Sequence, residues 1–274
     1  SGNQREHNLG AARDAFNAFL AATTPEHMAQ HVIGGSSRIE DIRAYLSTHG
    51  DFPAARETDL IEAFPTSDED IPRGIVSLTY LQLEPVSLLP RNPMITDDVR
   101  VGLRPPDPLS QVGILESRKE PEQKSALALF KIEKNQTLLD WDTFVQTWDR
   151  SLRSFSDGEA GDGPARFRGI ISQDKPVFEN DEPIDSSIIR IQDPLHPTDV
   201  IRIREDKYDT VSNLMRSSPR DLANDPTASW KPRTATVDLV RNPDTGRISI
   251  SSFVCWEFLG VGGTEGNAGK MANN

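Results

Sequence analysis

The chain has 274 residues, of which 36% are hydrophobic and 26% charged, and a length of this kind favours two domains. Its formal net charge is −12 and both halves contain more acidic than basic residues, which disfavours a nucleic acid partner because phosphate backbones attract basic surfaces. Cys255 is the single cysteine, so an intrachain disulfide and a thiolate metal cluster are excluded.

Three short helices are predicted at the start of the chain. The first, over 9–22, carries an apolar stripe at helical spacing, formed by Leu9, Ala12, Phe16, Phe19 and Leu20. Thr24 precedes Pro and Glu, which predicts an N-cap and a helix that continues to about Val32. Ser37 is predicted to cap the third helix, and Gly50 to end it.

Strands are predicted next. Residues 75–83 alternate in polarity, and 126–133 form the strongest strand signal in this half. Two weaker strands are predicted at 99–103 and 112–116, on either side of a proline-rich turn. The polar residues 134–136 predict the turn that follows.

The stretch "FKIEKNQTLLDWDTFVQTWDR", residues 130–150, predicts a strand that leads into a core helix. Six apolar residues fall on one helical stripe over about four turns: Trp141, Phe144, Val145, Trp148, Leu152 and Phe155. Asp140 stands at the N-cap position, and Asp142 adds negative charge to the first turn. A capping carboxylate is stabilised as the anion, so we expect a lowered pKa at Asp140 and no catalytic role.

The second half predicts one antiparallel sheet and one helix. The glycine- and aspartate-rich residues 156–165 predict a linker. Strands are predicted at 167–172, 187–192, 200–204, 233–241 and 247–259, and a short helix around 208–215. The last two strands flank "NPDTG", a hairpin signal because Pro presets the turn and Gly accepts a positive φ.

These elements predict an α+β fold with N-terminal helices, a curved cone-like antiparallel sheet, and then a second antiparallel sheet with one helix. We assign a cone-like domain to 9–155, an antiparallel α+β domain to 165–259 and a flexible glycine-rich tail to 260–274.

The sequence carries only weak signals for metal, phosphate or serine chemistry. His27 and His31 lie one helical turn apart, but Met28 stands where a zinc protease motif has Glu, so solvated histidines are favoured and no metal site is predicted. The chain has neither a G-x-S-x-G motif nor a glycine-rich loop that opens a helix, and we predict no cofactor.

Single residues give weaker signals. Trp230, in the loop "TASWKPRT", is the residue that we expect to be exposed and to form an interaction surface. Cys255 is expected to be a small buried strand residue. A set of arginines is favoured as the solvated face of a sheet over a polyanion site: Arg166, Arg168, Arg190, Arg202 and Arg204.

The N-terminal half resembles the nuclear-transport-factor-like (SnoaL-like, cone-shaped α+β) superfamily, through "ARDAFNAFLAATTPEHMAQHV" and the strand "ALFKIEK". That superfamily includes isomerases, dehydratases, cyclases and many non-catalytic binders, so the resemblance implies a fold and not an activity. The whole chain also resembles uncharacterised bacterial proteins in which such a half precedes a "DW" element and a second α+β half, often behind a membrane anchor.

Together these observations favour a non-catalytic ligand- or protein-binding module of an exported or membrane-anchored bacterial protein. The alternative is a small-molecule acid–base enzyme (isomerase, dehydratase or hydrolase) with a cone-shaped pocket, which a cone filled by Phe16 and Phe19 would disfavour. Since the chain begins at Ser1 and not at Met, we expect an anchor or signal peptide before it and a cell envelope or periplasmic address, with the cytoplasm as the alternative.

Overall fold

The computed structural model describes residues 2–55, 60–62, 69–82, 124–173, 178–179, 182–183, 186–206 and 232–265. Its helices and two main antiparallel sheets form the predicted α+β fold. The strands predicted at 99–103 and 112–116, the helix around 208–215, Trp230 and the tail beyond residue 265 lie outside the described residues.

The helices lie in two groups. The first group precedes and borders the first sheet: α1 (Gly2–Ala21), α2 (Pro25–Ala29), a 3-10 turn (Gly35–Arg38), α3 (Ile39–His49) and α4 (Asp70–Arg73). The second group joins the sheets: α5 (Trp141–Trp148) and α6 (Ser151–Asp157).

The strands form a four-stranded sheet, a five-stranded sheet and a small hairpin. The first sheet has the order β1-β2-β3-β4 and contains β1 (Leu60–Glu62), β2 (Ile75–Gln82), β3 (Lys124–Glu133) and β4 (Gln136–Leu139). The second has the order β11-β10-β5-β8-β9 and contains β5 (Ala165–Gln173), β8 (Ser186–Gln192), β9 (Val200–Asp206), β10 (Arg233–Arg241) and β11 (Ile248–Trp256). The hairpin pairs β6 (Phe178–Glu179) with β7 (Glu182–Pro183).

The predicted N-terminal helices are confirmed, but α2 ends at Ala29, before the predicted end at about Val32, and two further details differ. Phe16 and Phe19 are fully buried, and Thr24 Oγ1 accepts the N–H of His27 at 3.3 Å. Helix α1 begins at Gly2, earlier than predicted. The prediction missed its first turns because they are polar and show no apolar period. The prediction that Ser37 caps α3 is wrong, since its hydroxyl donates to the carbonyl of Gly34 within the 3-10 turn.

Aromatic side chains fill the space between the first sheet and its helices. Phe16 lies 5.4 Å from Tyr80 and 5.7 Å from Phe144, measured between ring centroids. Trp148 stacks on Tyr80 at 5.5 Å. Trp141 and Trp148 are 4% and 6% exposed, so the prediction that both belong to a core is confirmed.

The predicted four-turn helix is divided in two. Arg150, with φ 52°, has a left-handed conformation that interrupts the helix between α5 and α6. In consequence α5 packs in the first core, whereas Leu152 and Phe155 of α6 belong to a second core on the five-stranded sheet. The domain ranges 9–155 and 165–259 stay a prediction.

The segment after β11 packs on the first sheet. Phe258 and Val261 are 8% and 3% exposed, and they contact Ile75 and Leu129 on the face of that sheet that is turned away from the aromatic core. Arg73 Nη1 lies 2.7 Å from Glu257 Oε1 at the same place. The start of the region predicted as a flexible tail is therefore in contact with the first half at Val261, and Glu265 accepts a hydrogen bond from Arg166 of β5.

Candidate functional site

Polar side chains of α5 connect it to the second sheet. Gln146 Oε1 accepts the backbone N–H of Arg168 at 2.8 Å, and Gln146 Nε2 donates to the carbonyl of Arg168 at 2.7 Å. Strand β8 pairs with β5 from Ile170 to Gln173, so this backbone edge of β5 has no partner at Arg168 among the described strands. The amide of Gln146 takes the place of that partner, which fixes α5 against the sheet.

The connection between β8 and β9 is organised around a buried carboxylate. Asp193 is fully buried, and its Oδ1 accepts the backbone N–H groups of Leu195 and His196, both at 2.9 Å. Asp193 N also donates to the carbonyl of Asp199 at 2.9 Å, which closes the connection. The stretch "DPLHPTD", residues 193–199, thus forms a tight connection between β8 and β9.

His196 extends from this connection to the first sheet. Its Nδ1 lies 3.1 Å from Asp193 Oδ1, and its Nε2 lies 3.2 Å from the hydroxyl of Ser125 in β3. The hydrogen-bond network assigns the proton to Nδ1, because a carboxylate can only accept. Nε2 then presents its lone pair to the hydroxyl of Ser125.

A second polar pair holds the same connection from the other side. Arg150 donates to Asp199 through Nε at 2.8 Å and through Nη2 at 2.6 Å, a two-point contact between a guanidinium and a carboxylate. The Asp199 side chain is 2% exposed. The interruption of the helix at Arg150 therefore places its side chain where it fixes the β8–β9 connection.

An open cleft of about 510 Å³ lies beside Ser125 and His196. Its volume is within the usual range of small-molecule sites. Trp148 contributes apolar surface, and the ammonium of Lys124 lies 4.5 Å from the centroid of its ring. The remaining lining combines cations and anions: Arg150, Arg153, Asp149, Asp157 and Glu159, with Ser154 between them.

A second cleft of about 370 Å³ is lined by other residues of α5, between Trp141 and Gln146. Asp142 lines it and bridges two arginines: Arg168 Nη2 donates to Oδ2 at 2.8 Å, and Arg38 donates to Oδ1. Arg168 Nε lies 3.8 Å from Asp140 Oδ2. This cleft is neutralised internally, because its arginines already contact acids.

Asp140 differs from its prediction. It stands at the N-cap of α5, but it is 3% exposed and its carboxylate accepts the hydroxyl of Thr143. Burial raises the pKa of Asp140 above its ordinary value, although Arg168 and Thr143 act in the opposite direction. The predicted lowering of its pKa is therefore wrong, because the cap lies between the two halves and not at the surface.

The arginines predicted to share a sheet face do so, but Arg168 is 5% exposed, so the prediction that it belongs to a solvated face is wrong. The strand register places Arg190 opposite Arg202 and next to Ser172, on the same face as Arg166 and Arg168. Arg166 forms a two-point contact with Asp238, at 2.8 and 3.1 Å. Acids thus neutralise part of this face, and the absence of a nucleic acid partner stays a prediction.

The other predicted sites give the following results. Trp230 lies outside the described residues, so its role as an interaction surface stays a prediction. His27 is exposed and contributes to no metal cluster, since no three His, Cys, Asp or Glu side chains converge within the described part of the chain. Cys255 is fully buried, as predicted, and burial raises the pKa of its thiol.

Sequence reasoning did not find Ser125, His196 or Asp193. The signal for two of them was present, because Asp and His three residues apart in a proline-containing connection can share a hydrogen bond. Ser125 is the second residue of an ordinary strand and is 71 positions from His196. Only the packing of the two sheets brings it to the imidazole.

Within the described residues, no helix has both the length and the apolar content needed to cross a bilayer. A comparison of the chain with protein-family models, curated proteins and solved structures found no match.

Proposed function

We propose that this chain is a ligand-binding module and that its ligand site is the cleft of about 510 Å³ at Ser125 and His196. The observation that supports this most directly is the lining. The cleft lies where the two halves meet, a preferred place for small-molecule sites, and its walls combine the ring of Trp148 with side chains of both charges. This combination suits a small polar molecule that carries an ammonium or carboxylate group beside an apolar part.

The acid–base enzyme with a cone-shaped pocket receives less support. A pocket inside the first half would occupy the space between its sheet and helices, where Phe16, Phe19 and Phe144 are fully buried and in mutual contact. Burial raises the pKa of Asp140, but this residue lies at the junction of the halves and not inside a cone. Membership of the nuclear-transport-factor-like superfamily stays a proposal, based on the helices and the strand quoted above.

The ligand site can be tested by saturation-transfer NMR on the whole chain with free amino acids and their methyl esters as probes. Ser154→Trp places an indole in the cleft and is expected to abolish probe binding. Ser252→Trp is the matched control, because Ser252 is exposed on β11 and does not line the cleft. Equal binding by both variants, or no binding by the unaltered chain, would refute the proposal.

We also propose an address in the bacterial cell envelope. Its support is the resemblance to bacterial proteins that carry such a pair of α+β halves behind a membrane anchor. Fractionation of cells that express the natural full-length protein tests this, and recovery in the cytoplasmic fraction would refute it.

A further inference from the structure

Three side chains from two distant parts of the chain form one hydrogen-bonded series beside the cleft. The Asp193 carboxylate faces His196 Nδ1 at 3.1 Å, and His196 Nε2 faces Ser125 Oγ at 3.2 Å. A serine hydroxyl that faces an imidazole oriented by a buried carboxylate is the arrangement that activates serine nucleophiles on unrelated folds. It is recognised by geometry and not by sequence order, so the missing G-x-S-x-G motif does not argue against it.

Each member has the environment that its role requires. Asp193 is fully buried, and three hydrogen bonds to Oδ1, from two backbone N–H groups and the imidazole, hold it in position. The His196 side chain is 15% exposed, so its ring is oriented from within and still reaches the cleft. Ser125 is half-buried and lines the same cleft.

We propose that Ser125 is a nucleophile that hydrolyses small carboxylic esters bound in this cleft, with His196 as the general base and Asp193 as the residue that positions it. This inference rests on the proposed ligand site and adds a chemical class of ligand to it. Lys124, whose ammonium lies over the ring of Trp148, and Arg153, which lies 3.7 Å from Asp157, also line the cleft and supply positive charge that favours an oxyanion on the attacked carbonyl. The acids Asp157 and Glu159 suit an ester that also carries an ammonium group.

The reaction balances with water as the second reactant. Ser125 Oγ forms a bond to the carbonyl carbon while its proton passes to His196 Nε2. The bond from that carbon to the ester oxygen then breaks, and the leaving alcohol takes the proton from the imidazolium. Water attacks the acyl-serine, His196 accepts a proton from it and returns a proton to Ser125 Oγ, and the carboxylic acid leaves.

The series also joins the two halves of the molecule, so a purely structural role is the alternative to catalysis. The two roles predict different reactivity of the Ser125 hydroxyl. If Ser125 and His196 only connect the sheets, Ser125→Ala lowers the stability of the fold and the hydroxyl reacts like that of any other serine. If Ser125 is activated, it reacts with a fluorophosphonate, which phosphonylates activated serines by displacement of fluoride.

The test is fluorophosphonate labelling of the whole chain, followed by peptide mass spectrometry. One adduct is expected on the peptide that contains Ser125, absent in Ser125→Ala and slowed at least about 100-fold in His196→Gln, the usual contribution of a general base. Ser252→Ala, which removes an exposed serine of β11 that does not line the cleft, is the control and should label at the unaltered rate. No adduct, an adduct on another serine, or labelling that ignores His196→Gln would overturn the proposal.

A second measurement covers the case in which His196→Gln fails to fold. Ser125→Cys places a thiol beside the imidazole, and we expect iodoacetamide to alkylate it at least about 10-fold faster than the thiol of Ser154→Cys, because a neighbouring imidazolium stabilises the thiolate. The buried Cys255 is the internal reference for a slow thiol. Equal alkylation of the two engineered thiols would overturn the proposal.

The labelling experiment and the NMR experiment test different hypotheses, so a negative result in one does not decide the other. If the methyl esters bind in the cleft and Ser125 does not label, the esterase inference is wrong and the ligand site stands. If Ser125 labels and neither amino acids nor their esters bind, the proposed ligand class is wrong while the activated serine stands.

Discussion

Arg150 donates two hydrogen bonds to the carboxylate of Asp199, through Nε at 2.8 Å and through Nη2 at 2.6 Å. The pair links the residue between α5 and α6 to the β8–β9 connection. Asp199 is nearly inaccessible at 2% side-chain exposure, while Arg150 is 27% exposed. The guanidinium of Arg150 therefore stays in contact with solvent, whereas the buried carboxylate of Asp199 relies on Arg150 to compensate its negative charge.

We predict that Arg150→Ala lowers the free energy of unfolding by about 3–5 kcal/mol, because it leaves a buried carboxylate without its partner. Denaturant unfolding followed by circular dichroism measures this. Arg153→Ala is the matched control, since its pair with Asp157 is long, at 3.7 Å, and exposed, and it should change the free energy by less than about 1 kcal/mol. Similar losses in both variants would contradict the assignment.

Gln146→Glu is expected to lower the free energy of unfolding by about 1–3 kcal/mol. The carboxylate still accepts from the N–H of Arg168, but it cannot donate to the Arg168 carbonyl, and it lies close to Asp193. Gln136→Glu makes the same change at an exposed position of β4 and should be nearly neutral. A neutral Gln146→Glu would show that α5 does not depend on this contact.

Trp148→Ala should cost about 3–5 kcal/mol through the cavity that it leaves between Tyr80 and Phe144. Trp148→Phe keeps an aromatic ring in the core and should cost clearly less. Equilibrium unfolding of both variants makes the comparison. If the two substitutions cost the same, the large ring does not contribute to the core in the way that its burial indicates.

The pKa of Asp140 gives a dependence of stability on pH. Because burial raises this pKa in the folded state, the folded protein holds the proton more tightly than the unfolded chain, for which the ordinary value is 3.8. The unaltered protein should therefore lose stability as the pH rises from about 3.8 through the raised folded pKa. In Asp140→Asn this side chain cannot ionise. Over this pH window the unfolding free energy of the variant should therefore increase relative to that of the unaltered protein. Above the window the difference between the two should stay constant.

Thr143→Val tests the same pKa from the side of its hydrogen-bond donor. The hydroxyl of Thr143 donates to the Asp140 carboxylate and favours its ionised form. Its removal should make the loss of stability with rising pH larger than in the unaltered protein. Urea unfolding at several pH values measures both variants, and a difference between Asp140→Asn and the unaltered protein that does not vary with pH would contradict the raised pKa.

Sequence patterns predicted most of the regular elements of this fold, because burial of one face leaves a period in the apolar residues. The strands that begin at Ile75 and Arg233 are good examples, with bounds within one residue of those observed. Strand β4 was missed because it is short and its Leu139 lies beside the helix signal that starts at Asp140. The interruption at Arg150 was missed because an apolar stripe indicates which residues are buried, but not that they are buried in two different cores.

The candidate site was not predictable in the same way. The conformation that brings Ser125 to His196 depends on how two sheets pack, and no local pattern encodes that distance. The environment of Asp140 also depends on this packing, since the N-cap of an exposed helix and the N-cap of a buried one have the same sequence. Both cases concern side chains whose surroundings come from distant parts of the chain.

The left-handed residue between α5 and α6 also bears on how the protein can be cut into pieces. A fragment that ends after residue 155 would keep Leu152 and Phe155, with no sheet to cover them, and the complementary fragment would lack the two side chains that seal its own core. Expressed separately, each piece would show an apolar surface to solvent and tend to aggregate. Fragments intended for separate study should therefore meet at Asp149 and Arg150, where one core ends and the next begins.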